Sequence, residues 1–389
     1  MPSQAIPMTL TQTLTMGLIQ ILAVLIAIFI MVPLLTFAER KVIGYMQVRL
    51  GATRLAGGHV GITGPLNRAM WAMGRVPVLS FFRGLPIFIA DAVKLITKED
   101  IIPAKADRAV FTLAPIISVM AAFGVFAAVA YFPGTMFIFP KGFPIVGGLP
   151  FQGFITDVNV GLLFILGLAS VGVYGIVLGA WASNSKYPLL GGLRSAAQII
   201  SYEVPLTLSL LVPVLLAGSL NFKDMSVILA TGKDLSPLAI IPLFIGFFVY
   251  TTCGFAETNR VPFDLAEAET ELVAGFHTEY SGMKFGFFYL AEYANMIVVS
   301  ALAAAFFLGG HYLLPFGLQR FIPATTPFIG GPSFLFFFLK VCAVLFVFLW
   351  VRATLPRYRY DQLMDVGWKY LIPLTLVNLF VAAIIRFAF

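Results

Sequence analysis

Eight apolar runs divide the chain, near residues 16–38, 109–132, 160–182, 199–219, 237–256, 286–308, 333–354 and 369–388. Each is about 20 residues, the length a helix needs to cross a hydrocarbon core roughly 30 Å thick. Lipid offers the backbone no hydrogen-bond partners, so such runs form helices. The pattern predicts an all-α integral membrane fold of about eight transmembrane helices, with 1–389 as a single polytopic domain. Two more apolar stretches, 137–155 and 311–331, are interrupted by proline and glycine and read as loops or re-entrant segments. The first connection, 39–108, mixes charge with apolar bulk. Over 65–98 it sets Arg68, Arg75, Arg83, Lys94 and Lys98 among Met70, Trp71, Phe81, Phe82, Phe88 and Ile89, a pattern that predicts amphipathic helices lying in the membrane interface.

Composition agrees. Hydrophobic residues make up 60% and charged residues 11%, against about 45–50% and 25% in soluble proteins, and the mean hydropathy is +0.95. Soluble and disordered readings are excluded. The N-terminus lacks the basic start and small-residue cleavage site of a secretory signal, so the first run is expected to be a retained helix. Cys253 and Cys342 lie in apolar stretches without ligand-type neighbours, and His59, His277 and His311 fall outside the apolar runs. Structural zinc, a thiolate-held cluster and a haem gripped between two spans are therefore not expected, and electrons must be handled elsewhere.

Nineteen of the 25 Lys and Arg fall in connections 39–108, 183–198, 257–285 and 350–369. Basic residues are retained on the cytoplasmic side, so both termini are expected on the opposite, periplasmic face of a bacterial cytoplasmic (inner) membrane. The formal charge of +7 is thus a topology signal and not a nucleic-acid footprint. No repeat of 20–50 residues stands out, which argues against an inverted-repeat transporter.

Three places carry candidate chemistry. Glu39-Arg40-Lys41 opens a charged cluster where the first apolar run stops; it is either a snorkelling helix end or part of a functional loop. The connection 257–285 reverses the sign of its face: within 257–279, Glu257, Asp264, Glu267, Glu269, Glu271 and Glu279 are answered only by Arg260. If that segment is helical, Asp264, Glu267 and Glu271 share one face, and crowded carboxyls there would titrate near neutrality and pass protons. The bland alternative is a solvated acidic surface or a docking patch for a basic partner. Finally, Glu203, Glu292 and Lys340 fall inside apolar runs, where a charge costs about 2.5–3.5 kcal/mol at a helix centre. The two glutamates are expected on a hydrated ion path, whereas Lys340 either joins it or snorkels to the outer face.

These segments also carry a resemblance. ERKVIGYMQVR (39–49), ADAVKLITKEDIIP (90–103), GFAETNRVPFDLAEAETELVAGFHTEY (254–280), AEYANM (291–296) and RYRYDQLM (357–364) closely resemble the H-subunit family of respiratory complex I, NADH:quinone oxidoreductase, whose mitochondrial counterpart is NADH dehydrogenase subunit 1. The resemblance implies an eight-helix core that seats quinone, as substrate, in a chamber shared with peripheral-arm quinone-site and iron–sulfur subunits. It implies no stand-alone catalysis and no cofactor bound by this chain alone, with FMN and iron–sulfur clusters in partner subunits and small membrane subunits alongside. Carried over position by position, Arg40, Gln47, Arg49, Asp91, Arg260, Phe263 and Arg352 would line or shape the quinone passage. Glu39, Glu203, Glu257, Asp264, Glu267, Glu269, Glu271, Glu279, Glu292 and Lys340 would form the polar route coupling quinone reduction to proton translocation.

The chain departs from the family pattern at Ala52, where proline is usual, and in an added stretch near 58–84 that reads as an extra interfacial helix or as a contact for a lineage-specific partner. The alternative implied function is that of the equivalent subunit in a membrane-bound hydrogenase or in a ferredoxin-linked or F420-linked quinone reductase.

Overall fold

Among the described residues, eight helices are long and apolar enough to cross a membrane, and they follow the apolar runs in order. The computed structural model describes residues 10–49, 51, 65, 68, 72, 87–129, 135–136, 151–153, 155–156, 158–232, 235–265, 272–315, 318–321 and 331–388. The added stretch near 58–84 lies largely outside them. The spanning helices are α1 (Leu10–Met46), α3 (Arg108–Val125), α4 (Gly161–Ala182), α5 (Lys186–Ala217), α7 (Ile240–Glu257), α8 (Gly282–Phe306), α9 (Phe334–Thr354) and α10 (Tyr360–Ala388), the last with a π-helical segment at Val366–Leu371. Two shorter helices, α2 (Ile87–Thr97) and α6 (Phe222–Thr231), lie between them. The two-residue strands Thr135–Met136 and Phe151–Gln152 pair antiparallel and bracket residues 137–150, which lie outside the described set. Apart from that short pair, the regular structure of the described residues is helical, and the protein is a multi-pass membrane protein of the all-α class.

Local sequence sets the helix ends. Asp107 caps α3 by accepting hydrogen bonds from the backbone of Ala109 and Val110. Gly218 closes α5 in the left-handed conformation, φ 69°, which glycine adopts without a Cβ penalty. Most of α1 is lipid-like surface, with Leu14, Leu18, Leu22, Ile26 and Phe29 exposed. The centre of the bundle is α8, the most buried of the eight. Its run of Ala301, Ala303, Ala304 and Ala305 presents little bulk, so neighbouring backbones approach closely.

Several helices outrun their apolar cores. α1 continues to Met46, so Glu39-Arg40-Lys41 occupies its last turns and not a loop, with Glu39 and Lys41 buried. α5 begins at Lys186 and α10 at Tyr360. The links on this end of the bundle, its basic face, therefore shorten to 183–185, 258–281 and 355–359. Polar side chains with protein partners let a helix continue past the point where hydropathy falls. α3, by contrast, ends at Val125, short of residue 132.

The second half of the 258–281 link packs on the ends of α3 and α4. Tyr280 stacks on Phe111 at 4.0 Å between ring centroids, and its hydroxyl donates to the Phe111 carbonyl at 3.2 Å. Burial pushes its phenol pKa up, which keeps it a donor. His277 is buried against Phe276, Phe285 and Phe288. Lys284 at the start of α8 pairs with Asp100 at 2.9 Å. At the opposite face, the Lys340 ammonium donates to the carbonyl of Gly310 at 3.3 Å and to that of Tyr312, fastening the 307–315 link to α9.

One close approach fixes how α5 meets the 258–281 link. A Cβ on Gly191 would lie 2.8 Å from Gly275 Cα and 2.8 Å from the Phe276 nitrogen, backbone atoms that cannot swing aside. Gly191→Ala is therefore expected to destabilise the purified protein by about 1–3 kcal/mol, read as a lower thermal midpoint in detergent. Gly167→Ala, on an open helix face with nothing within 4 Å, should leave the midpoint unchanged or slightly higher. Equal midpoints for the two variants would contradict the close approach.

Candidate functional site

Four segments distant in sequence converge just inside the basic face. Glu39 of α1, buried to 8% exposure, accepts a hydrogen bond from the Tyr293 hydroxyl of α8 at 2.7 Å and one from Arg352 of α9. Arg260, from the turn after α7, faces it at 3.8 Å and faces Glu292 of α8 at 3.9 Å. The Arg260 guanidinium lies 4.2 Å from the centre of the Tyr293 ring, and Tyr293 shares a 2.7 Å hydrogen bond with Tyr289, one helical turn earlier.

Two carboxylates and two guanidinium groups thus make a cluster balanced in formal charge. Burial by itself disfavours the charged form of Arg260, but Tyr293, Glu39 and Glu292 outweigh it and hold its pKa above the ordinary arginine range, so this cation is permanent. Its separations from both acids exceed hydrogen-bond length. The guanidinium is shared between two carboxylates and clamped by neither.

Below this cluster is a cavity of about 40 Å³ lined by Glu257, Glu292, Asn259, Asn295, Ser118 and Ile199, among others. One water needs roughly 10–15 Å³ of such volume and two to four polar partners, so the void has room for one to three waters between Glu257 and Glu292. Ser118 Oγ, with no hydrogen-bond partner among the described residues, lines the same space. Gly175 makes room for Ser118, because a Cβ there would overlap its hydroxyl. Glu203 of α5 is close enough to Glu257 for their charges to interact; it accepts a hydrogen bond from Ser170 of α4 and lines an open groove with Ile200, Val204 and Thr207.

The other expected site residues fall into separate groups. Arg40 pairs with Asp91 of α2 at 2.7 Å with both side chains nearly half exposed, and Arg49 bonds Gln47 at 2.9 Å. These four form an exposed polar patch around the end of α1. Gly44 belongs to its architecture, since a Cβ there would meet Gly51 Cα at 2.7 Å where the chain folds back. Asp264 pairs with Arg357 at 2.9 Å. It sits in non-helical backbone, so the single helical face expected for Asp264, Glu267 and Glu271 does not extend to it. Glu267, Glu269 and Glu271 lie outside the described residues. Phe263 is buried between the rings of Tyr202 and Tyr358. Glu279 is half-buried in the turn before α8, and Lys340 bonds carbonyls at the far face.

Sequence reasoning missed Tyr289, Tyr293, Ser118, Asn295 and Arg357. A signal existed for the first two: tyrosines four apart on an apolar helix, flanking Glu292, place two hydroxyls on the face that carries the acid.

The cluster separates two contributions of Tyr293. Tyr293→Phe removes the charge-assisted hydrogen bond to Glu39, about 1.5–3 kcal/mol, but keeps the ring under Arg260. Tyr293→Leu removes both, a further 0.5–2 kcal/mol or so. Thermal midpoints in detergent should fall in the order wild type, Phe, Leu. A Phe variant as stable as wild type would show that this hydroxyl carries no weight.

Residues 19–383 match the family described as NADH dehydrogenase. The chain is 44% identical over 358 residues to the H subunit of the NADH-quinone oxidoreductase of Rhodospirillum centenum, covering 92% of this chain and 90% of the relative. It is 44% identical over 372 residues to that of Magnetococcus marinus, covering 96% and 92%, and 43% identical over 378 residues to that of Rickettsia typhi, covering 96% and 94%. End-to-end likeness at this level, on top of the eight-helix core, means that the chain belongs to the NADH dehydrogenase family, together with these H subunits of NADH-quinone oxidoreductase.

Proposed function

We propose that this chain is the quinone-seating, charge-relaying membrane component of an NADH-quinone oxidoreductase in a bacterial inner membrane, with both termini on the periplasmic side. In this reading the basic face docks the peripheral-arm quinone-site and iron–sulfur subunits. Those partners hold the FMN and the clusters, and small membrane subunits flank the bundle. The exposed patch of Arg40, Gln47, Arg49 and Asp91 shapes the passage for the quinone headgroup, while Phe263 and the Asp264–Arg357 pair stiffen the turn that carries Arg260.

The observation that carries the reading is the balanced cluster of Glu39, Arg352, Arg260 and Glu292, one side of which shares a water-sized cavity with Glu257. Electrons reaching a quinone headgroup add negative charge near the basic face. At an effective dielectric of about 20, a unit charge some 4 Å away is worth about 4 kcal/mol, enough to draw a loosely shared arginine from one carboxylate toward the other. As Arg260 leaves Glu292, that acid loses the charge that favours its ionised form and takes up a proton. Water in the cavity passes the proton between Glu292 and Glu257, and Glu203, beside Ser170, is the next acceptor. Glu267, Glu269, Glu271 and Glu279 belong to the same acid-rich link and supply protons to its start. Lys340 is left off this route because its ammonium is engaged by backbone carbonyls of the opposite face.

Glu257→Gln in the assembled complex tests the relay. The variant is expected to assemble and to pass electrons to a water-soluble acceptor normally. Quinone reduction should fall by at least about tenfold, and proton translocation should be lost. Full turnover with full translocation would reject the route. A loss confined to the amount of assembled complex would identify the chain as a passive anchor.

A further inference from the structure

Arg260 has little of its own to hold it. Its Nε and Nη2 make no hydrogen bond among the described residues, and both of its carboxylate partners stand beyond hydrogen-bond length. Apart from the Tyr293 ring against its face, the position of the guanidinium is set by the backbone of the turn 258–265. That turn is tight: the Arg260 nitrogen donates to the Phe255 carbonyl at 3.2 Å, and the Phe263 nitrogen to the Arg260 carbonyl at 2.8 Å. Asn259 stands in the left-handed region, φ 49°, which asparagine visits more readily than most residues.

A single side chain from another helix laces this turn. Gln198 of α5 is fully buried, and its Nε2 reaches the Phe263 carbonyl at 2.7 Å, the Ala256 carbonyl at 2.8 Å and the Asn259 side-chain oxygen at 3.2 Å. Ala256 precedes the turn and Phe263 follows Arg260, so one amide ties the two arms of the loop together beneath the arginine. The orientation of the amide is set by the two backbone carbonyls, because turning it over would set its oxygen against both of them. Its own oxygen is left without a partner among the described residues. A leucine of similar size would leave the Phe263 carbonyl without the donor that this amide supplies at 2.7 Å. The amide thus satisfies and fixes the turn at the expense of its own oxygen.

We propose that Gln198 is a positioning residue for Arg260: by clamping Ala256, Asn259 and Phe263, its amide sets where the shared guanidinium stands between Glu39 and Glu292. The inference rests on the charge-relay reading and adds a residue to it.

A double-mutant cycle in the assembled complex tests it, with quinone reduction measured per assembled complex and normalised to electron flow into a water-soluble acceptor. Arg260→Gln is expected to slow quinone reduction about tenfold or more, and Gln198→Leu about three- to tenfold. The double variant should be no slower than Arg260→Gln within about twofold, because residues that act as a unit do not add. If Gln198→Leu fails to assemble, Gln198→Asn, which keeps the amide on a side chain one carbon shorter, takes its place in the cycle. Single-variant losses that multiply, or Gln198 variants that turn over at the wild-type rate while Arg260→Gln does not, overturn the role of Gln198 and leave the relay standing. Wild-type turnover in Arg260→Gln overturns the relay reading and this inference together.

Discussion

A permanent positive charge buried among apolar helices must be answered by negative charge within a few ångströms, and Arg260 imposes that requirement on this fold. Placing an unpaired ion in such surroundings costs several kcal/mol even after relaxation. Glu39 and Glu292 meet the need from α1 and α8, Tyr293 adds the face of its ring, and Arg352, paired with Glu39, balances the second negative charge. The run of α1 beyond its apolar core and the convergence of α8 and α9 on one point both serve this arrangement. Arg260 itself is paired with two acids and hydrogen-bonded to neither, so it is costly to bury and easily biased between them.

The same helix joins the cluster to what lies beneath it. Glu292 belongs to the ion group on one side and to the cavity with Glu257 on the other, on the most buried of the eight spanning helices. Farther along, α5 carries Gln198 and Glu203 less than two turns apart, one addressing the arginine turn and the other the end of the acid series. In the proposed relay, a shift in the turn therefore has a short path along one helix to Glu203.

Hydropathy made the eight spans legible because lipid leaves the backbone no other structure, and it exposed Glu203 and Glu292 because charges in apolar runs stand out. It misjudged the ends. Glu39, Arg40 and Lys41 stand open in the sequence between a snorkelling helix end and a loop; they are helical, and Glu39 is buried against partners from α8 and α9 instead of snorkelling. Pairings across more than 250 residues, such as Tyr293 with Glu39, leave no periodic trace. The expected helical alignment of Asp264 failed because the link there follows a tight turn whose hydrogen bonds run to α5 and to the segment before α10. Tyr293 and Gln198 went unnoticed for a related reason: a tyrosine or glutamine in an apolar run resembles ordinary core until its partner is known.

The order of synthesis gives the placement of Glu39 a further meaning. Its carboxylate is made early, but the arginine that pairs with it is incorporated 313 positions later. At roughly 5–20 residues per second, that is a wait of about 15–60 s. During the interval α1 has apolar flanks to keep it in the bilayer and an acid at its end without its final counter-charge. The first helix is thus inserted long before it can be locked, and the ninth acts as the bolt. A chain that ends before α9 has Glu39 answered by Arg260 and Tyr293 alone, so the ion cluster lacks its balancing cation until the seventh span is made.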